Sequence, residues 1–289
     1  MGQALHAQQE VAPESCQDGA PIVPLVLEEP LRQYLADCFP DTEDGLLQMG
    51  FQRWVDAHER SEHHYVEGYF HAVPGQYGKE VPSVHPRCGS ELLRQSAPEA
   101  VYAFCEAVRR VNASKFDALT KDLLSRSGSS RLGAVFKRKA YLADLAVQVH
   151  WGEAVKTSDM FWHMDAANSF LHMAIGVQGH RALHAKRKSG PQVEPEVLWQ
   201  EPGAVYLAAP CCFSHAVEYA ASTWDTRIIA VQCRLLLTES EMFHPGLDTD
   251  PEGTAGKAVF RHLHSWARDG LKAPDLETVR SVAAELAAD

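Results

Sequence analysis

The segment PGAVYLAAPCCFSHAVEY, residues 202–219, decides the fold class of this chain. A turn signal precedes it, because Glu201-Pro202-Gly203 places proline and glycine where a type II turn requires them. AVYLAA and SHAVEYA then alternate between two faces, a pattern that predicts two short strands. The segment therefore predicts β structure with short connections.

The same period-two pattern extends on both sides of this segment, from about Tyr141 to Leu237. Its further strand candidates are LADLAVQVHW, SFLHMAIGV, RALHA, EVLWQ and TRIIAVQCRLL. Many short strands without intervening helices are typical of an antiparallel sandwich or barrel. Apolar residues recur at helical spacing in the segments 44–60, 96–112, 116–123, 254–270 and 275–287. We expect a mostly β core with flanking helices (α+β) that pack on one face of a sheet.

The pattern divides the chain into a leader and one domain. Residues 1–25 are polar and lack the basic start and apolar run of a signal peptide, so we expect a flexible leader. Residues 26–289 are expected to form a single domain, with a helical part at 26–135, a β core at 140–237 and C-terminal helices at 254–287. Because no apolar run approaches the roughly 20 residues of a membrane helix, we expect a cytoplasmic protein without a membrane partner.

Composition excludes several functional classes. The 289 residues are 45% hydrophobic and 22% charged, which is typical of a globular protein. The net charge of −11 disfavours a nucleic-acid partner, because such proteins usually present a broad basic surface. The seven cysteines include no Cys-x-x-Cys pair, so neither a zinc ribbon nor a thioredoxin-like site is indicated.

A candidate metal site begins in MFWHMDAANSFLHM, residues 160–173. His163 and Asp165 form a His-x-Asp triplet, which random placement at this composition predicts about once. The triplet alone is therefore not specific. Two histidines and one carboxylate bind one face of an octahedral ion and leave three positions open. A third ligand should be a histidine on a later strand that faces the interior.

Two downstream strand candidates supply inward-facing polar residues. His215 shares a strand face with Val217 and Tyr219, and the apolar character of this face predicts that it points inward. On the next strand candidate, Arg227 belongs to the more apolar face, so we predict that Arg227 rather than Arg234 points inward. A buried guanidinium needs an anion, and it would hold a carboxylate in bidentate geometry.

The order of these parts resembles the Fe(II)/2-oxoglutarate-dependent dioxygenases, whose core is a double-stranded β-helix of the jelly-roll or cupin type. PGAVYLAAPCCFSHAVEY looks like the family's turn and strand leading to its second histidine ligand. Arg227, 12 positions after His215, stands where the family's basic residue holds the far carboxylate of 2-oxoglutarate, although the offset is slightly long. The resemblance covers about a third of the chain. The Arg-x-Ser signature of one branch is absent, since two isoleucines follow Arg227.

The resemblance implies an oxygenase reaction. His163, Asp165 and His215 would bind Fe(II), and catalysis would use 2-oxoglutarate and O2, with ascorbate as a supporting reductant. The implied reaction hydroxylates an unactivated C–H bond of a small molecule, amino acid or peptide and converts 2-oxoglutarate to succinate and CO2. Asp165 favours hydroxylation, or a related desaturation, demethylation or ring closure, because family halogenases replace this carboxylate with glycine or alanine.

Other residues near the triplet have weaker assignments. Asn168 is expected to fix the loop or to contact the cosubstrate. His150 and Trp151 end the strand before the triplet and are candidates for the substrate pocket. Trp162 is a further candidate for that pocket, although packing is the favoured interpretation, and His172 is expected to be scaffold.

Three alternatives stay open at this point. A nucleic-acid demethylase of the same superfamily is disfavoured by the acidic charge balance. A non-catalytic β-barrel binding protein is disfavoured by the intact set of three ligands. A cupin-type oxygenase that does not use 2-oxoglutarate would leave Arg227 without an anion. The sequence identifies neither the substrate nor the oligomeric state.

Overall fold

The computed structural model describes residues 21–49, 51–54, 65–71, 99–127, 144–150, 160–163, 171–187, 194–208, 213–221, 227–236, 266 and 270–288. Within these ranges the chain forms five helices and eleven strands. Most of the expected leader lies outside them. Of the expected helix at 254–270, only Trp266 and Gly270 lie inside them.

The helices are α1 (Glu29–Ala36), α2 (Glu43–Gln48), α3 (Glu99–Val111), α4 (Ala113–Ser127) and α5 (Leu276–Ala288). The first strands are β1 (Ile22–Val26), β2 (Gln52–Trp54) and β3 (Tyr65–His71). The next four are β4 (Asp144–His150), β5 (Met160–His163), β6 (Leu171–Gln178) and β7 (Arg181–Arg187). The last four are β8 (Glu196–Gln200), β9 (Ala204–Ala208), β10 (Phe213–Tyr219) and β11 (Ile228–Leu236).

The strands form two antiparallel sheets. The large sheet has the order β1-β9-β6-β11-β4-β3-β2, and the small sheet has the order β5-β10-β7-β8. From β4 to β11 the chain passes repeatedly between the two sheets, so that strands adjacent in sequence are mostly not adjacent in a sheet. The fold is a double-stranded β-helix. The expected fold class, a jelly-roll-like β core with flanking helices, is confirmed.

The large sheet is covered on both faces. On one face, His150 of β4 is hydrogen-bonded through Nε2 to the hydroxyl of Tyr219 on β10, at 2.9 Å, so this face points at the small sheet. Ile228 is paired with His150, and Ala230 and Gln232 follow it on the same face. The opposite face, which carries Val147, Val149, Ile229 and Val231, joins a core that also contains Leu31 and Leu35 of α1 and Phe104 and Val108 of α3. The space between the two sheets is called the interior below.

The turn predicted before β9 is present. Gly203 has a φ of 88°, and the amide of Ala204 donates to the carbonyl of Glu201 at 2.9 Å. Positive φ is the conformation that glycine adopts without a steric penalty. The strand candidates between residues 144 and 236 and the helices at 99–111, 113–127 and 276–288 are also confirmed.

The prediction that the first half is helical was wrong in part. The helix expected over 44–60 ends at Gln48, and β2 follows it from Gln52, while β1 and β3 also belong to the first half. The amide of Phe51 donates to the carbonyl of Leu46 at 3.0 Å, and Phe51 then packs edge-on against the ring of Phe39. Burial of this ring turns the chain out of the helix and into the large sheet. In the described part of the chain, no helix has both the length and the apolarity to cross a membrane.

Candidate active site

Two histidines meet on adjacent strands of the small sheet. His163, at the end of β5, is directly paired with His215 of β10, and their ring centroids are 4.2 Å apart. His215 is 7% exposed, whereas His163 is exposed. The ring of Phe213 lies 5.5 Å from that of His215. The fold thus brings together the two histidines that were predicted from the sequence to be metal ligands.

The alternation of β10 explains this placement. Phe213, His215, Val217 and Tyr219 are buried, while Glu218 between them is exposed. Successive side chains of a strand point to opposite faces. The inward face predicted for His215 is therefore the observed one.

The third expected ligand, Asp165, lies outside the described residues, as do Asn168 and Trp151. The described ranges accordingly contain no group of three or more His, Cys, Asp or Glu side chains that could hold a metal ion. Asp165 follows the last residue of β5 by two positions. Its role stays a prediction that rests on this short tether to His163.

Arg227 is not placed as predicted. Its Nη1 donates to the main-chain oxygens of Phe39 and Pro40, the latter at 2.9 Å, and its Nη2 donates to Gln178 Oε1 at 3.2 Å. It also pairs with the exposed Asp41 at 2.9 Å. The guanidinium therefore holds the chain just after α1, on the helix side of the large sheet. Burial lowers the pKa of Arg227, and the charges of Asp41 and Asp37 partly oppose this shift.

The prediction fails at the choice of strand face. Apolarity predicts that the face of the last strand with Arg227 is the interior one, but the interior face is the one carrying Ile228, Ala230 and Gln232. Both faces of this sheet are buried, so apolarity does not distinguish them. The interior face is the more polar of the two, with Gln232 Nε2 donating to Gln148 Oε1 at 3.4 Å.

A different arginine lies in the interior. Arg181, the first residue of β7, is 3% exposed, and its Nε donates to Gln200 Oε1 at 2.5 Å. Its Nη1 and Nη2 are buried and have no hydrogen-bond acceptor among the described residues. The guanidinium carbon lies 6.0 Å from the centre of the Tyr206 ring, on the opposite sheet. In the sequence Arg181 shares a strand face with Leu183 and Ala185, which is a weak signal because Arg181 is the charged first residue of a short strand.

Gln200 holds this guanidinium in place. Its Nε2 donates to the main-chain oxygens of Ala174, at 3.1 Å, and Ala204, at 2.9 Å, so its Oε1 is fixed toward Arg181. The position of Gly176 leaves room for this arrangement, because a Cβ there would lie 3.2 Å from the Gln200 side chain. One amide therefore connects the two sheets and orients the buried cation.

His150 and Tyr219 lie at the same end of the interior as Arg181. Tyr219 is directly paired with Arg181, and its ring centroid is 4.6 Å from that of His150. Both side chains are buried. His150, which was expected to line the substrate pocket, thus lies four residues along β10 from the level of His215.

Trp162 lies on the outer face of the small sheet. It is 41% exposed, with Lys186 Nζ 3.9 Å from its ring centre and the His184 ring at 6.4 Å. Its side chain points away from the strand face that carries His163, and its role in a substrate pocket stays a prediction. His172 lies on β6 opposite Ala208, in the register expected of a scaffold strand.

No family model and no curated protein matches the sequence. Several solved structures are similar to parts of this chain. The non-heme alpha ketoglutarate dependent epimerase SnoN from nogalamycin biosynthesis is 11% identical, covers 75% of this chain and 78% of its own, and gives a TM-score of 0.40. OsALKBH1 is 10% identical, covers 75% of this chain and 96% of its own, and gives a TM-score of 0.42.

A shorter match concerns the DMSP lyases RdDddP and RnDddQII, at 21% identity and a TM-score of 0.22. It covers 32% of this chain, which spans only 38% of the lyase chain. None of these likenesses, with identities of at most 21% and TM-scores of at most 0.42, identifies an activity for this chain.

Proposed function

We propose that this chain is an Fe(II)- and 2-oxoglutarate-dependent oxygenase that hydroxylates an unactivated C–H bond of a small molecule, amino acid or peptide. The direct pairing of His163 with His215 is the observation that carries the proposal. Two imidazoles with ring centroids 4.2 Å apart can donate to one ion, and Asp165 adds a carboxylate within two residues. This donor set is the one that non-haem Fe(II) oxygenases use.

The residues fit a bound Fe(II) and 2-oxoglutarate chemically. When bound, Fe(II) and 2-oxoglutarate would react with O2 to supply an oxidant for C–H bonds, and 2-oxoglutarate would be converted to succinate and CO2. His163 and His215 would hold the metal at the edge of the small sheet, with Asp165 as the third ligand. The Phe213 ring limits the orientations open to His215. Buried side chains of both sheets exclude water from the interior, which protects a reactive species from side reactions.

The test is succinate release by the full chain supplied with Fe(II), ascorbate and 2-oxoglutarate, with and without candidate substrates. Asp165→Ala and His215→Ala should each reduce succinate formation more than about 100-fold, because even changes outside the ligand set cost 10–100-fold. His184→Ala is the matched control, since His184 lies on the outer face of the neighbouring strand and pairs with Glu218. A wild-type chain that binds neither Fe(II) nor 2-oxoglutarate would overturn the proposal.

A further inference from the structure

We infer that Arg181, oriented by Gln200, is the carboxylate-binding residue of this interior and takes the far carboxylate of a linear 2-oxo diacid. The identity of the ligand rests on the proposed function, whereas the anion site itself does not. The family pattern predicts this role for Arg227, but Arg227 contacts the chain after α1 instead. The interior cation therefore lies on β7 of the small sheet and not on the last strand, which belongs to the large sheet.

Burial is the first reason. A charged group removed from water is costly unless it is paired or hydrogen-bonded. Arg181 is 3% exposed, and among the described residues only Gln200 accepts a hydrogen bond from its guanidinium. A buried guanidinium whose two terminal nitrogens find no described acceptor is the arrangement expected of a site that binds an anion.

Orientation is the second reason. Gln200 engages Nε, so the edge of the guanidinium that carries Nη1 and Nη2 is the one left for a ligand. Two parallel N–H donors on one edge match the two oxygens of a carboxylate. The two main-chain oxygens that fix Gln200 restrict the rotation of this edge. Gln200 is therefore a positioning residue, and it acts through Arg181.

Distance is the third reason. Arg181 and Ala185 lie on the same face of β7, and Ala185 is paired with His215. Four residues of strand correspond to about 13 Å between the backbone levels of the cation and the histidine pair. The Arg181 guanidinium carbon lies 6.0 Å from the centre of the Tyr206 ring. Because side chains at both ends occupy part of the separation between these backbone levels, about 13 Å by strand geometry, the remainder suits a short, linear diacid with one end at the histidines and the other at Arg181.

The test compares two ligands that differ only at the far end. 2-Oxoglutarate and 2-oxopentanoate share the same 2-oxo acid head, but the second has a methyl group where the first has a carboxylate. Isothermal titration of the Mn(II)-loaded full chain measures both affinities without turnover. Wild type should prefer 2-oxoglutarate by roughly 10- to 100-fold, the range that a charge-assisted hydrogen bond supports. Equal affinities would overturn the inference without any variant.

Variants then assign the preference to a residue. In Arg181→Gln, the affinities for 2-oxoglutarate and 2-oxopentanoate should differ by less than about threefold. The affinity for 2-oxopentanoate should stay unchanged, because only the far carboxylate loses its partner. Arg181→Lys, which keeps the charge but loses the two-donor edge, should retain part of the preference. Gln200→Leu should weaken 2-oxoglutarate alone. Arg227→Gln is the control, and it should retain the full preference. A preference that survives in Arg181→Gln would overturn the inference.

A second arm separates this inference from the proposed function. Glutarate lacks the 2-oxo acid head, so its binding to the chain in EDTA, followed by ligand-observed NMR, reports on the anion site without metal. Glutarate binding that is lost in Arg181→Gln supports the anion site even if the chain binds no Fe(II). Glutarate binding that Arg181→Gln leaves unchanged places the anion elsewhere and contradicts the inference.

Discussion

Replacing Arg227 with methionine tests whether this side chain supports the fold rather than the site. Its side chain is 12% exposed, and Nη1 donates to two main-chain oxygens, those of Phe39 and Pro40. Hydrogen bonds from charged groups contribute about 1.5–3 kcal/mol each. The bonds from Nη2, to Gln178 at 3.2 Å and to Ala36 at 3.4 Å, are long and add less.

The ion pair of Arg227 with Asp41 contributes little, because the Asp41 side chain is 88% exposed. Since the Nη1 bonds share one nitrogen, we expect Arg227→Met to lower the free energy of unfolding by about 2–4 kcal/mol. For a domain of this size that corresponds to a fall in Tm of roughly 10 °C.

Urea denaturation followed by tryptophan fluorescence measures this loss. Arg280→Met is the matched control, because Arg280 is exposed and its guanidinium lies 5.3 Å from the Tyr34 ring centre. It should cost less than about 1 kcal/mol. The placement of Arg227 on the helix side would be refuted if Arg227→Met had a free energy of unfolding within about 0.5 kcal/mol of wild type but a large loss of 2-oxoglutarate affinity.

Three further predictions concern a turn, a buried acid and the outer face. Gly203→Ala should lower the free energy of unfolding, measured by urea denaturation, more than Gly270→Ala does. Both glycines have positive φ, which costs another residue about 1–2 kcal/mol. Of these two positions, only Gly203 would bring the new Cβ close to a backbone oxygen, at 3.1 Å. Burial raises the pKa of Glu106, but hydrogen bonds from two arginines of α3 outweigh it and lower the pKa overall. Its stabilising contribution is therefore present above its unfolded pKa of about 4.3 and is lost as the pH falls through the lowered folded value. Glu106→Gln should accordingly show a shallower loss of stability on acidification, and an equally steep loss would contradict this. Trp162→Ala should leave Mn(II) and 2-oxoglutarate affinities within about threefold of wild type, a small energetic change, because its side chain lies on the outer face; a larger loss by titration calorimetry would place it in the site.

Sequence periodicity predicted the β core well because its strands alternate and are bounded by turn residues. The turn at Gly203 and the inward face of His215 follow directly from local residue chemistry. The strand β2 was missed because Leu47, Phe51 and Trp54 fit a helical spacing, although Phe51 is anchored in the core by tertiary packing. One partner of β3 is β4, which lies more than 70 residues further along the chain, and a single sequence gives no information on such a contact.

The interior cation could not be assigned from apolarity. Apolar residues mark the buried face of a sheet only where the other face meets water. Here helices cover one face of β11 and the small sheet covers the other, so Arg227 and Ile228 both lie in protein surroundings. Arg181 is the charged first residue of a short strand, and such a residue is typical of a solvent-exposed strand end. Only the pairing of β7 with β10 and β8 places it in the interior.

We propose that His163 and His215 hold one metal ion between adjacent strands. Anaerobic equilibrium dialysis with Fe(II) measures this directly on the full chain. We expect one Fe(II) per wild-type chain, a large loss of affinity in His163→Ala and His215→Ala, and unchanged binding in His184→Ala. The proposal that these histidines bind the metal would be contradicted by stoichiometric Fe(II) binding in both site variants, or by a wild-type chain that binds no Fe(II).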